Sequence, residues 1–307
     1  MITNYDFSAK SALKKLEEIN CLLSERVVNI GGLYLLIDFT VNRRDEESPF
    51  IERVGGVNSL RVQFPHPDLD GVAELLLIKI NQDSIEDLAL LKLSIQHSLD
   101  EIVPESLKAG NGRKVCAWIN SCLTIEDLGR EISHSSIQQI SCGSSAIFRF
   151  YDPGVFGNID NFLDSWQTRR LLKNIITWSY INGDGEFCTK SGGGDGLPKL
   201  DFSLGMTSAE WEKMHYIALV NKILLNYRGN KLFSRVSEKQ AWQWLFPALN
   251  FYVETFSLNE NIVSFGVGVL MFSPRVIEGC NDGDILQELS EKKELQTYFR
   301  SVVFSAH

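Results

Sequence analysis

Between residues 8 and 25, Leu13, Leu16, Ile19 and Leu23 recur three or four positions apart among lysines and glutamates. That spacing puts them on one face of a helix, so an amphipathic helix is predicted there. The stretch 33–40, LYLLIDFT, is short, apolar and followed by charged residues, and it predicts a buried strand. Residues 42–56, with RRDEESP and a Gly-Gly pair, predict a loop. Strands are expected at 59–64 and 72–80, joined through PHPDLDG, whose proline, aspartates and glycine suit a turn.

Ser84 followed by Asp87 marks a helix start, because a hydroxyl caps an orphan N–H and acids suit the positive end of the helix dipole. That helix should reach about residue 100. A strand is expected at 114–121 (KVCAWINS). Thr124, Glu126 and Asp127 then open a helix to about 137. Residues 144–151 predict a strand and 153–172 a helix. Strands alternating with helices imply an α/β (α+β) architecture with a mixed sheet flanked by helices. The early run of strands argues against an all-parallel sheet.

The pattern changes after about 173. ITWSYI, the turn NGDG and EFCTK predict a hairpin over 174–190, with turn residues that tolerate positive φ. SGGGDG at 191–196 is the expected internal hinge. The predicted organisation is therefore an α/β domain over 1–190 and a helical C-terminal lobe over 197–307. Capping-box pairs, Thr207 with Glu210 and Ser237 with Gln240, predict helices at 208–228 and 238–257. Pro247 should kink or restart the second, because proline removes a backbone donor. Further helices are expected at 259–272 and 284–303.

Composition narrows the function classes. The chain has 307 residues, 44% hydrophobic and 22% charged, which is ordinary for a globular protein with a core. Its net charge is −9, and its basic pairs are scattered rather than gathered in a patch. Neither nucleic acid nor an anionic membrane is expected as a partner. Six cysteines lie far apart with no CxxC, which suits reduced thiols in a cytoplasmic protein better than a disulfide scaffold. No signal peptide is visible. The longest apolar run, Ile262 to Phe272, falls short of the about 20 residues that cross a bilayer.

Residues of catalytic or metal-binding type are scattered along the chain. The five histidines are dispersed, without HExxH. CGSSA at 142–146 lacks the second glycine of a nucleophile elbow and enters a strand. Cys116 and Cys122 have no basic neighbours that would favour a thiolate. The glycine run at 191–196 leads to Leu197 and Pro198, not to the Gly-Lys-Ser/Thr of a phosphate loop. Asp160 and Asp164 suit a solvated helix face. No catalytic residue, metal site or cofactor is expected.

One string stands out, IFRFYDP at 147–153. As a strand it sets Phe148 and Phe150 on one face, with Ile147, Arg149 and Tyr151 on the other. Asp152 can then cap the next helix, with Pro153 at its first position. A buried arginine needs a partner, and so does Asp38 within LYLLIDFT. We expect the two to meet across the sheet.

IFRFYDP, together with the YLLID segment and with AWINS leading into a capped helix, resembles the effector chaperones, or adaptors, of type VI secretion. The matching positions are Tyr34, Asp38, Trp118, Ser121, Leu128, Ile132, Phe148, Arg149, Phe150, Tyr151, Asp152 and Pro153. The resemblance covers roughly 30–180. Ala117 and Asn120 depart from the pattern around Trp118. The resemblance implies a non-catalytic loader that binds a cognate toxic effector and the C-terminal region of the VgrG spike. Two rival readings stand beside it: an enzyme with a dispersed active site, and a structural component of the secretion apparatus.

Overall fold

The computed structural model describes residues 9–29, 31–40, 48–65, 74–103, 106, 112–139, 145–193, 204–229, 236–256 and 262–277. The chain divides into two compact units, one ending at Trp211 and the other beginning at Glu212. The fold is mixed α+β with a helical C-terminal part.

In the first unit a helix α1 (Ala9–Asn29) precedes strand β1 (Gly32–Asp38), helix α2 (Pro49–Gly55), strands β2 (Leu60–Val62) and β3 (Leu75–Ile80), and helix α3 (Ile85–Glu101). Strand β4 (Val115–Ser121), helix α4 (Ile125–Ser136) and a two-stranded ribbon of β5 (Ile137–Gln139) and β6 (Ser145–Ile147) follow. Helix α5 (Pro153–Phe156), a 3₁₀ turn (Ile159–Asn161) and helix α6 (Ser165–Leu172) lead to the hairpin of β7 (Ile175–Ile181) and β8 (Phe187–Ser191).

Six strands form one sheet in the order β2-β3-β1-β4-β7-β8, antiparallel at every pairing. The expected mixture of strand directions is absent for a topological reason. The helical crossover through α3 joins β3 to β4, which run parallel, but β1 lies between them and opposes both. This is a split crossover, in which parallel strands need not touch.

Each sheet face has its own core. Leu33, Leu35 and Ile37 of β1, with Ile78, Ile80 and Trp118, pack against Leu16, Ile19 and Leu23 of α1, Phe50 and Val54 of α2, and Leu90, Leu91, Ile95 and Leu99 of α3. A register shift between Leu36 and Ile37 keeps Val115 and Trp118 on this face despite their odd spacing. The alternate residues of β1 (Tyr34, Leu36 and Asp38) point to the other face.

Local signals account for most boundaries. Ser84 Oγ accepts from Asp87 N–H at 3.2 Å, and Thr124 Oγ1 from Asp127 N–H at 3.2 Å. The hairpin closes through Asn182, whose side chain accepts from the N–H groups of Asp184 and Glu186, with Gly185 at φ 76°.

Three expectations need correction. The loop expected over 42–56 contains α2, capped by Ser48, whose Oγ accepts from Ile51 N–H with Pro49 opening the helix. The single helix expected over 153–172 is broken into α5, the 3₁₀ turn and α6. Asp164 and Gln167 form a complete capping box that starts α6 afresh. The strand expected over 144–151 is regular only over Ser145–Ile147, because Phe150 N–H turns back to Phe148 O and Asp152 N–H to Arg149 O.

The second unit is helical: α7 (Ser208–Arg228, whose first turn belongs to the first unit), α8 (Glu238–Phe256) and α9 (Ile262–Ile277). The capping boxes at Thr207 and Ser237 both form. Helix α8 continues through Pro247 without restarting. Trp242 stacks on Phe246 at 5.3 Å, Phe246 meets Tyr216 edge-on at 5.6 Å, and Tyr252 packs on Phe265 at 4.6 Å. The helix expected over 284–303 and residues 194–196 of the expected 191–196 hinge lie outside the described residues.

Candidate functional site

The residues singled out in the sequence occupy distinct places on the sheet. At one end of β1, Tyr34 is buried and its hydroxyl donates to Leu123 O at 2.6 Å. Ser121 accepts from Leu123 N–H at 3.2 Å and donates to Asn174 O at 3.2 Å. Tyr34 and Ser121 thus hold both backbone groups of Leu123, and with them the corner from β4 into α4. Gly32 leaves room for the Tyr34 ring, since a Cβ there would sit 3.1 Å from it. Leu128 and Ile132 of α4 are fully buried.

At the other end of β1, Arg149 Nη2 donates to Asp38 Oδ2 at 2.9 Å. The expected meeting therefore occurs, but Arg149 reaches Asp38 from the turn after β6 rather than from a strand of the same sheet. Asp38 Oδ1 accepts from Thr40 N–H at 2.8 Å. The Asp38 side chain is 2% exposed and that of Arg149 is 43% exposed. The guanidinium also lies over the Tyr151 ring, 5.8 Å from its centroid. Burial disfavours the arginine's charge, but Tyr151, Asp38 and Asp152 outweigh it, and its pKa is raised. Burial pushes the Tyr151 hydroxyl well above its ordinary value, with Arg149 opposing part of the rise. Cys116, wholly buried, is pushed up by burial and then by Asp38. Both effects favour the neutral thiol over the thiolate.

Phe148, Phe150 and Tyr151 are all buried, and the strand whose alternation was to set them on two faces ends early, because the chain turns at Phe150. Phe150 and, in the helix just after the motif, Phe156 build an aromatic layer on β7: they lie 5.3 Å and 5.1 Å from Trp178, and Phe156 meets Tyr180 at 5.2 Å. Asp152 Oδ1 accepts from Gly154 N–H at 2.8 Å and Pro153 opens α5. Trp118 stands apart on the opposite face, donating to Ser94 Oγ at 2.9 Å.

The motif residues therefore do not converge on one point. Tyr34 and Asp38 are four positions apart on a strand, roughly 13 Å by its rise. Each cluster fastens backbone: one the β4–α4 corner, the other the turn into α5. A depression of about 480 Å³ near the start of β1 is lined by Gly31, Gly32, Lys79, Ile80, Asn81 and Gln82. Lys79 is the one ionisable group in that lining. Among the described residues no three histidine, cysteine or carboxylate side chains gather as a metal site, and no helix is long and apolar enough to cross a membrane.

The composition-based reading overlooked Glu101, which is buried at the end of α3. Its carboxylate accepts from Lys114 N–H at 2.6 Å and Val115 N–H at 3.4 Å, fixing the start of β4. His97, one turn earlier and stacked on Phe50 at 4.7 Å, lies 3.3 Å from it. The i, i+4 pair of His97 and Glu101 was the available signal. No family model, curated protein or solved structure matches this chain.

Proposed function

We propose that this chain is an effector chaperone, or adaptor, of type VI secretion. In this reading it is a cytoplasmic protein that works without catalysis. It binds a cognate toxic effector and loads it onto the C-terminal region of the VgrG spike. The observation that carries the reading is the joining of two resembling segments, YLLID and FRFYDP, through the 2.9 Å pair of Asp38 and Arg149. The shared residues act as fasteners of a sheet and its corners. That is what a binding scaffold asks of them, whereas catalysis would ask for reacting groups aimed at one point.

The test is a pull-down with the full chain from a strain carrying the secretion locus. The expected outcome is retention of a toxin encoded beside this gene and of the VgrG spike protein. Loss of toxin export in a deletion strain should accompany it. Turnover of a small substrate, abolished by one side-chain change, would overturn the reading.

A further inference from the structure

We propose that the open edge of β8 receives an extended segment of the partner polypeptide as a seventh strand, with an acidic residue opposite Thr189 held by Arg26. The inference rests on the binding function proposed above and assigns it a surface.

The phase of the hairpin fixes which backbone groups face outward. Asn182 N–H bonds to Glu186 O, and Gly192 N–H to Ile176 O. With the register Tyr180↔Cys188 and Trp178↔Lys190, these are the hydrogen-bonded pairs of an antiparallel ladder. Phe187, Thr189 and Ser191 fall between them, so their N–H and C=O groups point away from β7. No described residue bonds to those outward groups.

The two edges of the sheet differ. β2 has three residues and α4 packs against it, whereas β8 has five and ends the sheet. The usual edge defences are proline, a bulge or an inward charge. β8 has no proline and pairs with β7 without a register shift. Its one charge, Lys190, turns to the opposite face and pairs with Asp160.

Arg26 supplies the chemistry of the occupant. Its Nη1 donates to Ser179 Oγ at 2.8 Å and Thr189 Oγ1 at 3.0 Å, and its guanidinium lies 5.7 Å from the centre of the Phe187 ring. These contacts fix the plane of the group. Nε and Nη2 donate to nothing among the described residues, and no described carboxylate pairs with Arg26. That free edge is the fork that takes a carboxylate through two parallel bonds. What distinguishes Arg26 is that its half-buried guanidinium is held in place by two hydroxyls on β7 and β8 rather than by a described carboxylate.

A residue placed directly opposite Thr189 on an added strand would have its Cβ about 5 Å from that of Thr189, on the face of Arg26. Aspartate or glutamate there reaches the fork. Backbone bonds then supply affinity that any sequence provides, and the carboxylate sets the register.

The probe is the toxin polypeptide encoded beside this gene, co-expressed with the full chain and purified as a complex. Residue-resolved hydrogen exchange should slow about a hundredfold at Phe187, Thr189 and Ser191 on complex formation. Cys188 and Lys190, bonded to β7 throughout, should change little. Arg26→Glu should weaken binding about a hundredfold, and Arg26→Lys, which keeps charge but loses the fork, about tenfold. Ser191→Pro removes an outward N–H without deleting a bond to β7 and should cost about tenfold. A complex that forms with exchange at the three amides unchanged overturns the strand addition and leaves the proposed function standing. Protection that is indifferent to Arg26→Glu overturns the acidic contact. If the neighbouring polypeptide does not bind at all, both readings fall.

Discussion

Arg149 and Asp38, 111 positions apart in sequence, meet through a 2.9 Å hydrogen-bonded ion pair, yet they share it unequally. The carboxylate is shut away from water at the end of β1, while nearly half of the arginine side chain is open to it. Removing Arg149 leaves a buried charge with a single backbone donor, Thr40 N–H. Removing Asp38 leaves a cation that solvent can reach. Arg149→Ala should therefore cost more, about 2–3 kcal/mol after allowing for the exposed partner, against about 1 kcal/mol for Asp38→Asn. Urea midpoints of the two single variants and the double variant check this. Equal costs would mean that the pair contributes nothing beyond its separate hydrogen bonds.

That pairing was legible because both residues break an apolar pattern with opposite charges. LYLLIDFT and KVCAWINS read as strands for the same reason: a short, mainly apolar run, buried on both faces of the sheet. Helix α7 was legible to the residue because Thr207 and Glu210 mark its start. The missed helix α2 had the same kind of signal in Ser48, Pro49 and Glu52, but it was masked by the charged run before it. Asp164 and Gln167 likewise spelled a capping box inside a stretch read as one helix. Antiparallel order was not legible, because inserting β1 between β3 and β4 is a tertiary choice that no local pattern encodes. The role of Arg26 was hidden similarly, since Ser179 and Thr189 lie on other elements, while Glu101 offered only its spacing from His97 and no sign of its bonds to β4.

Stability should fall in alkali, and Tyr151 and Cys116 set the sign. Both are held protonated in the folded chain, with pKa values raised above the ordinary 10.0 and 9.0. The stability they contribute is fully present below those ordinary values. Above pH 9 for the thiol and pH 10 for the phenol, the unfolded chain loses protons that the folded chain keeps. Stability then drops by about 1.4 kcal/mol per pH unit for each group, until the folded-state values are passed. Tyr151→Phe should remove one of these two slopes between pH 10 and 12 in urea titrations. A slope unchanged by the substitution would show that Tyr151 ionises freely in the fold.

Two buried tryptophans form a matched pair for measuring one hydrogen bond. Trp118 Nε1 donates to Ser94 Oγ, which in turn donates to Leu91 O at 2.7 Å. Trp178 Nε1 is buried between Phe150 and Phe156 and finds no partner among the described residues. Substitution by phenylalanine removes the same volume from each. Only at position 118 does it also strip a donor from a buried hydroxyl, while at 178 it removes an unsatisfied N–H. Trp118→Phe should be the more destabilising by about 1–2 kcal/mol. Thermal unfolding of the two variants decides it, and the reverse order would mean that the aromatic layer on β7 dominates.

Three glycines should respond to alanine in graded fashion, because their surroundings differ in stiffness. A Cβ at Gly192 would lie 2.0 Å from the carbonyl oxygen of Ile175, a backbone atom fixed where β7 begins. Nothing but separation of the β7–β8 hairpin relieves that contact, so Gly192→Ala should cost about 3 kcal/mol or more. At Gly266 the nearest atom is Ile223 Cδ1 at 2.4 Å, a side-chain end that can change rotamer at the expense of packing between α7 and α9. Gly266→Ala should cost about 1–2 kcal/mol, partly offset by alanine's preference for a helix. Gly55, at the end of α2, has nothing within 4 Å, and Gly55→Ala should stabilise by about 0.5–1 kcal/mol through the unfolded chain's lost freedom. Because β8 carries the proposed docking edge, Gly192→Ala should also weaken partner binding, whereas Gly55→Ala should leave it unchanged. Urea midpoints and pull-downs on the same three variants test both halves, and a Gly192→Ala chain as stable as its parent would mean the hairpin end yields where the fold indicates it is rigid.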